Sequence, residues 1–350
     1  MIVSDRGVAS AGILQNVSMP LSEANLLADT FTDVPPEPVI DVVDTIAARM
    51  IACQAQAVVA LGGGSVMDAT KVAAVVAQHH QPARSFVGIG KVRKRGVPTI
   101  LIPTTAGTGS EATFVAILTD PSTGNKVGVV DPCILADIAI VDPALTDCLP
   151  QPITAAAGMD ALVHTIEAYL ARVATPLACG LALQAARHIG RSLEIVCREP
   201  SNTTARDDMA IGSHLAGMAF ANSSCCAVHA LALPLGGRYP IPHGVITGCF
   251  VGEMMRHNGP VCAEGITALS NALNWGQLEA TSFADKLDSI ARSIGLQDQL
   301  AKIVVPRHAF STMAADAVAN RRLMDPNPRE VSQADAERIY ETVLERSHTM

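Results

Sequence analysis

The chain has 350 residues, a formal net charge of -8 and a hydrophobic fraction of 49%, with a pI near 5.7 and a mean hydropathy of +0.30. That length suits two cores better than one, and the acidic balance argues against nucleic-acid or anionic-membrane partners, the longest basic run being the short loop from Lys91 to Arg95. No stretch of about 18 uninterrupted apolar residues and no basic-then-apolar leader occurs, and the nine cysteines include no Cys-x-x-Cys pair, so a soluble protein of the reducing cytoplasm is expected.

Residues 1–149 alternate short β-rich runs with helical stretches, the pattern of an α/β domain with a mostly parallel sheet. The predicted strands are 2–4, 57–61, 99–102, 114–118, 126–130 and 138–141, each closed by Asp, Gly or Pro. Pro35, Pro36 and Pro38 punctuate the segment before a crossover helix over 39–50. The strand at 57–61 runs into Gly62-Gly63-Gly64-Ser65 and a helix from Val66, with Ser65 read as its N-cap. Glycines at such a junction let backbone N–H groups approach a phosphate, and the helix dipole favours negative charge there. A plain tight turn uses the same residues, so the second loop matters. Pro103 to Glu111, rich in Thr, Gly and Ser, also follows a buried strand and belongs at the same carboxyl edge. The Gly-x-Gly-x-x-Gly spacing is absent, so any dinucleotide is held differently from a Rossmann site.

From residue 150 to 350 the strand signals fade and an all-α domain is expected, with helices over 155–172, 177–196, 207–221, 263–273, 283–294 and 334–344. Asp160 and His164 are four apart on the first of these, which brings a carboxylate and an imidazole within about 6 Å on one face. His229 and His243 follow, separated by a Pro234-Leu-Gly-Gly turn and a Pro242-His243-Gly244 corner, and can return to the first pair. One reading is a metal site; the other is that Asp160 caps or pairs while the histidines pack. Cys225-Cys226 is open in the same way, to a thiolate ligand or to two small hydrophobes. Glu167, one turn beyond His164, reads as a supporting or surface carboxylate.

With these residues in hand the chain resembles the iron-containing, group III alcohol dehydrogenase family, of the dehydroquinate synthase-like fold. The resemblance is carried in order by Gly62 to Ser65 with Asp68 and Lys71, Pro103 to Glu111, Lys126-Val-Gly, Asp142-Pro143, Ala157 to Glu167, the His229 to His243 segment, and Asn327-Pro328-Arg329. It implies NAD(P)-linked interconversion of a small alcohol and an aldehyde or ketone, with Asp160, His164, His229 and His243 as ligands of Fe²⁺, Zn²⁺ also fitting. It implies that the Gly62, Gly63, Gly64 and Ser65 loop holds the pyrophosphate, that Thr104, Thr105 and Thr108 line the adenine and ribose-phosphate side, and that Lys126 touches the nicotinamide ribose. Asp5 matches the position that meets the adenosine ribose, where a carboxylate repels a 2′-phosphate, so NAD is favoured over NADP. A homodimer or higher oligomer is also implied.

Maleylacetate reductases of similar length tend to carry Asn in place of Asp160. A lyase or cyclase that returns NAD unaltered, and a non-catalytic truncated relative, compete with the dehydrogenase reading. Two departures motivate the last. Family members carry roughly thirty further N-terminal residues, about one strand-crossover unit, so either the start is misplaced or a first strand is missing and a sheet edge lies uncovered. And the histidine that commonly follows the third ligand by four residues is here Leu233, which carries no proton. Apolar lining by Phe220 and Leu233 suggests a small, uncharged substrate, whereas an acidic one would need a cation such as Arg238.

Overall fold

Apolar runs without alternation mark strands buried on both faces, and Val58–Gly62, buried throughout, is the clearest of them. The computed structural model describes residues 1–348, with side chains through residue 346, and divides into units 1–148 and 149–350. The first unit runs β1 (Ile2–Val3), α1 (Arg6–Ser10), α2 (Ile13–Glu23), β2 (Thr30–Phe31), α3 (Ile40–Ala52), β3 (Val58–Gly62), α4 (Gly64–His79), β4 (Gly88–Ile89), β5 (Thr99–Pro103), β6 (Val115–Thr119), β7 (Lys126–Val130) and β8 (Ile138–Ala139). Five strands form one parallel sheet in the order β2-β1-β3-β5-β8. Successive residues of β3 point to opposite faces. Val58 and Ala60 join a core with α3 and α4, while Val59 and Leu61 join Ile2, Ile102 and residues of α2.

Three features differ from the sequence expectation. The runs at 114–118 and 126–130 leave the main sheet: β6 and β7 pair antiparallel and, with β4, make a separate three-stranded sheet. β1 is paired on both sides, so the edges of the main sheet are the two-residue strands β2 and β8. The strand expected at 138–141 is present as β8, whereas β2, with two residues, carries too little periodic signal to be predicted. Finally, Ser65 does not cap α4. The helix begins at Gly64 with Gly63 as its N-cap, and the Ser65 hydroxyl accepts from the Glu37 amide instead, at 3.3 Å.

The second unit is helical among its described residues: α5 (Gln151–Leu170), α6 (Pro176–Arg198), α7 (Thr203–Ala221), α8 (Ala227–Arg238), α9 (His243–Ala272), α10 (Ala280–Ser293), α11 (Leu296–Leu300), α12 (His308–Ala319), α13 (Arg321–Met324) and α14 (Gln333–His348). α5 is buried on nearly every side between Thr154 and Ala168, as a helix apolar all round must be. It packs against α6, α7 and α9. The Pro234-Leu-Gly-Gly segment is not a turn: it lies inside α8. Pro234 forfeits one helical N–H there, and burial of α8 against α9 and α12 compensates. Most of α9 also escaped the sequence reading, because its glycines look like breaks. They serve close packing instead: a Cβ at Gly244 would lie 2.1 Å from the Ala156 carbonyl oxygen, and one at Gly252 would lie 2.0 Å from an Asp288 carboxylate oxygen.

Candidate functional site

In the first unit the register brings three loops level. Val3 pairs with Ala60 and Gly62 with Pro103, so the chain leaves β1, β3 and β5 side by side at one carboxyl edge. Asp5, Gly62 to Ser65 and Thr104 to Thr108 therefore meet. The Thr104 amide donates to the Gly62 carbonyl at 3.0 Å. A Cβ at Gly63 would stand 3.2 Å from Thr105 Cγ2, a tight approach, and one at Gly64 only 2.7 Å from Thr108 Cγ2; the glycine at 64 is what lets the threonine loop come this close. The amides of Gly64 and Ser65, at the head of α4, have no carbonyl one turn earlier to receive them. That is a cradle suited to an anionic phosphate.

Asp5 has a structural task as well: its Oδ1 accepts from the Val8 amide at 2.9 Å and caps α1, while Oδ2 lies beside Gly62. Behind the threonine loop, Lys71 is 1% exposed and its ammonium donates to the carbonyls of Ser110 at 3.0 Å and Val115 at 2.6 Å. Asp68 accepts from Ser110 Oγ at 2.5 Å and from the Ile117 amide at 2.8 Å. Buried Lys71 and half-buried Asp68 together pin the loop to β6. Lys126 on β7 is engaged by Glu37 and by Thr119 Oγ1, the latter at 2.8 Å, and Glu37 in turn rests on Ser65.

In the second unit Asp160 and His164 stand one turn apart on α5, with 3.9 Å between Asp160 Oδ2 and His164 Nδ1. Asp160 Oδ1 lies 3.8 Å from His229 Nε2 on α8 and 3.8 Å from His243 Nε2 at the first position of α9. Gly244 lets α9 touch α5 at Ala156, which is what delivers His243 to this point. The imidazoles of His164 and His229 stack with centroids 4.6 Å apart, and the Phe220 ring covers the other face of His164 at 4.5 Å. Burial pushes the Asp160 carboxyl up, but His164, His243 and His229 around it prevail and hold it below the usual carboxylate range.

Two neighbours fix the orientation. Glu167, buried one turn beyond His164, accepts from His229 Nδ1 at 2.5 Å, from the Val228 amide at 2.7 Å and from the Cys226 amide at 2.9 Å. A carboxylate thus caps the positive end of α8 and takes the Nδ1 proton of His229 in a hydrogen bond, so that Nε2, turned toward Asp160, is the nitrogen left for a cation once its own proton is displaced. Thr247 Oγ1 donates to Asp160 Oδ1 at 2.9 Å. Sequence reasoning passed over Thr247, although it follows His243 by four residues and so shares its helical face. Cys225, for which the sequence admits both a ligand and a small hydrophobe, is buried beside His164 and His229; burial raises its thiol, the two imidazoles lower it further, and the result is about 7. Burial opposes charge on His229, yet Cys225 and Glu167 hold its imidazole well above the ordinary value.

His164 Nδ1 and His229 Nε2 are buried without a hydrogen-bond partner. Leaving a buried polar atom unsatisfied costs about 1–3 kcal/mol, and two such atoms converging on one carboxylate match the donor set of a divalent cation. The residues present therefore fit a metal. Arg238 does not face this cluster as a free cation: its guanidinium is engaged by Asp316 and donates to the Pro234 carbonyl at 3.0 Å. Leu233, one turn after His229 on α8, is partly exposed.

Comparison with known proteins gives one consistent answer. The family model described as iron-containing alcohol dehydrogenase matches residues 1–143, and that of the Fe-containing alcohol dehydrogenase family, C-terminal, matches residues 154–344. Long-chain-alcohol dehydrogenase 1 of Geobacillus thermodenitrificans is 36% identical, over 98% of this chain and 89% of its own. The sulfoacetaldehyde reductase of Bilophila wadsworthia is 31% identical over 95% of this chain and 88% of its own. The crystal structure of a sulfoacetaldehyde reductase from Bifidobacterium kashiwanohense in complex with NAD⁺ superposes with a TM-score of 0.89 at 29% identity, covering 98% of this chain and 90% of that one. The chain belongs to the iron-containing alcohol dehydrogenase family and is an oxidoreductase of alcohols and carbonyl compounds.

Proposed function

We propose that this oxidoreductase works on a small, uncharged alcohol and its aldehyde or ketone, with NAD as cofactor and a divalent metal, Fe²⁺ before Zn²⁺, held by Asp160, His164, His229 and His243. The observation that carries the reading is the convergence of Asp160 with three imidazoles, two of whose nitrogens are orphaned in the interior. Bound there, the metal supplies Lewis acidity toward the substrate oxygen, and NAD accepts or returns the hydride.

The chain's own residues hold each of these partners. Glu167 and Thr247 hold His229 and Asp160 in the orientation that keeps their lone pairs available. Gly62, Gly63, Gly64 and Ser65 receive the pyrophosphate, and Thr104, Thr105 and Thr108 line the adenine and ribose-phosphate side. The free Oδ2 of Asp5 meets the adenosine ribose and disfavours a 2′-phosphate, which supports NAD over NADP. Lys126 has a donor to spare beyond Glu37 and Thr119 for the nicotinamide ribose. Leu233 accepts no proton, so we assign the exit of the alcohol proton to water.

Phe220 against His164 and the engaged state of Arg238 favour the uncharged substrate, although the Bilophila relative is named for an acidic one. The nine free thiols agree with a reducing cytoplasm, and a homodimer or higher oligomer remains part of this proposal. NADH formation from a series of alcohols with and without an acid group tests the substrate class. A lyase would return NAD unaltered, and faster turnover of the acidic series would overturn the uncharged assignment.

A further inference from the structure

We infer that Cys225 is an additional ligand of the metal site, its thiolate closing a second triad with His164 and His229 around the ion that Asp160, His229 and His243 also face. The inference deepens the proposed metal-dependent reading and rests on it. Two sets of ligand atoms each lie within 4.8 Å of one another: His164, Cys225 and His229, all buried, and Asp160, His229 and His243. They share His229. Ligand atoms bound to one ion at about 2.1 Å stand about 3–3.5 Å apart, so side-chain shifts of about an ångström draw both sets onto it and leave a position for the substrate oxygen in a five- or six-coordinate site.

The second observation is the pair of orphaned nitrogens. His164 Nδ1 and His229 Nε2 lack hydrogen-bond partners, and their residues are 5% and 6% exposed. Cys225 is the thiol beside them. Its neighbour Cys226 is turned away, with Sγ 3.8 Å from the Glu167 carbonyl and its amide tied to the Glu167 carboxylate. The head of α8 therefore holds one thiol at the ion and the other off it. On binding, the S–H bond breaks, the proton leaves to solvent, and the sulfur lone pair goes to the metal; nothing is oxidised or reduced. A thiolate in this set moves the preference toward softer ions, Zn²⁺ and Co²⁺, relative to the four-ligand set alone.

The test uses the full chain loaded with Co²⁺, read by absorption. Wild type is expected to show visible cobalt bands together with a near-ultraviolet thiolate-to-cobalt charge-transfer band. Cys225→Leu, which keeps an apolar filler, and Cys225→Ala should keep the visible bands and lose the near-ultraviolet one, with Zn²⁺ affinity falling more than Fe²⁺ affinity. Two variants of different size, each checked by thermal melting, separate loss of the ligand from loss of the fold. A wild-type spectrum with visible bands alone, or a charge-transfer band that survives both substitutions, overturns the Cys225 assignment while leaving the four-ligand site standing. If wild type and Asp160→Ala alike bind no cobalt, the metal reading itself fails and takes this inference with it.

Discussion

Replacing Glu167 by Gln isolates the neighbour that orients His229 at nearly constant volume. Its Oε2 accepts from the Cys226 amide and His229 Nδ1, and its Oε1 from the Val228 amide, at 2.9, 2.5 and 2.7 Å. A glutamine has one acceptor oxygen and one NH₂ group, so either orientation sets a donor against a donor and orphans at least one buried N–H. That costs about 1–3 kcal/mol in the metal-free protein. The better orientation keeps the oxygen on His229 but removes its charge, making the imidazole a weaker donor to the metal; loss of such a supporting partner lowers metal affinity about 10–100-fold, or about 1.4–2.7 kcal/mol. Competition between the protein and a chromophoric chelator for Zn²⁺, in wild type and Glu167→Gln, measures the second quantity, and chemical denaturation of the metal-free forms measures the first. Metal affinity unchanged within about twofold, with stability reduced, would show that Glu167 only caps α8 and would refute its role at the metal.

Asp5→Asn keeps an N-cap for α1 but loses the negative charge, so use of NADP relative to NAD should rise by about tenfold or more, with the melting temperature little changed; steady-state kinetics with both cofactors decides. Gly244→Ala would set a methyl 2.1 Å from the Ala156 carbonyl oxygen, which should destabilise by about 1–3 kcal/mol or more, and bound metal should fall with it because His243 shifts. In the metal-free protein the imidazoles of His164 and His229 are raised above 6.5. A raised pKa contributes stability that is present below the unfolded value and is lost as pH rises through the folded one. The metal-free melting temperature should therefore fall as pH rises above 6.5, while metal affinity increases because fewer protons must be displaced; a metal-free melting temperature that rises over that range would contradict the pairing.

Much of this architecture is legible in the chain. Gly62 to Ser65 and Pro103 to Glu111 each follow an apolar run, and parallel pairing of β3 with β5 is enough to set the two loops side by side. The Asp160 and His164 spacing places both side chains on one face because the helix period does so anywhere. What escaped was structure whose local signal points the wrong way. Pro234 and the glycines of α9 argue for breaks, yet tertiary packing overrides them: Gly244 and Gly252 are small because α5 and α10 come within contact of the α9 backbone. β2 and β4, two residues each, exist through their neighbours rather than their own sequence. Arg238 looked like a free cation because its partner Asp316 lies 78 residues away, a pairing that no local pattern reports.

The central claim is that Asp160, His164, His229 and His243 hold one catalytic metal. It is tested most directly by anaerobic NADH oxidation with the Fe²⁺-loaded protein against small aldehydes and ketones, beside Asp160→Ala, with bound metal measured on the same samples. The account predicts about one metal per chain and metal-dependent turnover in wild type, with both lost in Asp160→Ala. Full turnover in Asp160→Ala, or in protein stripped of metal, would contradict it.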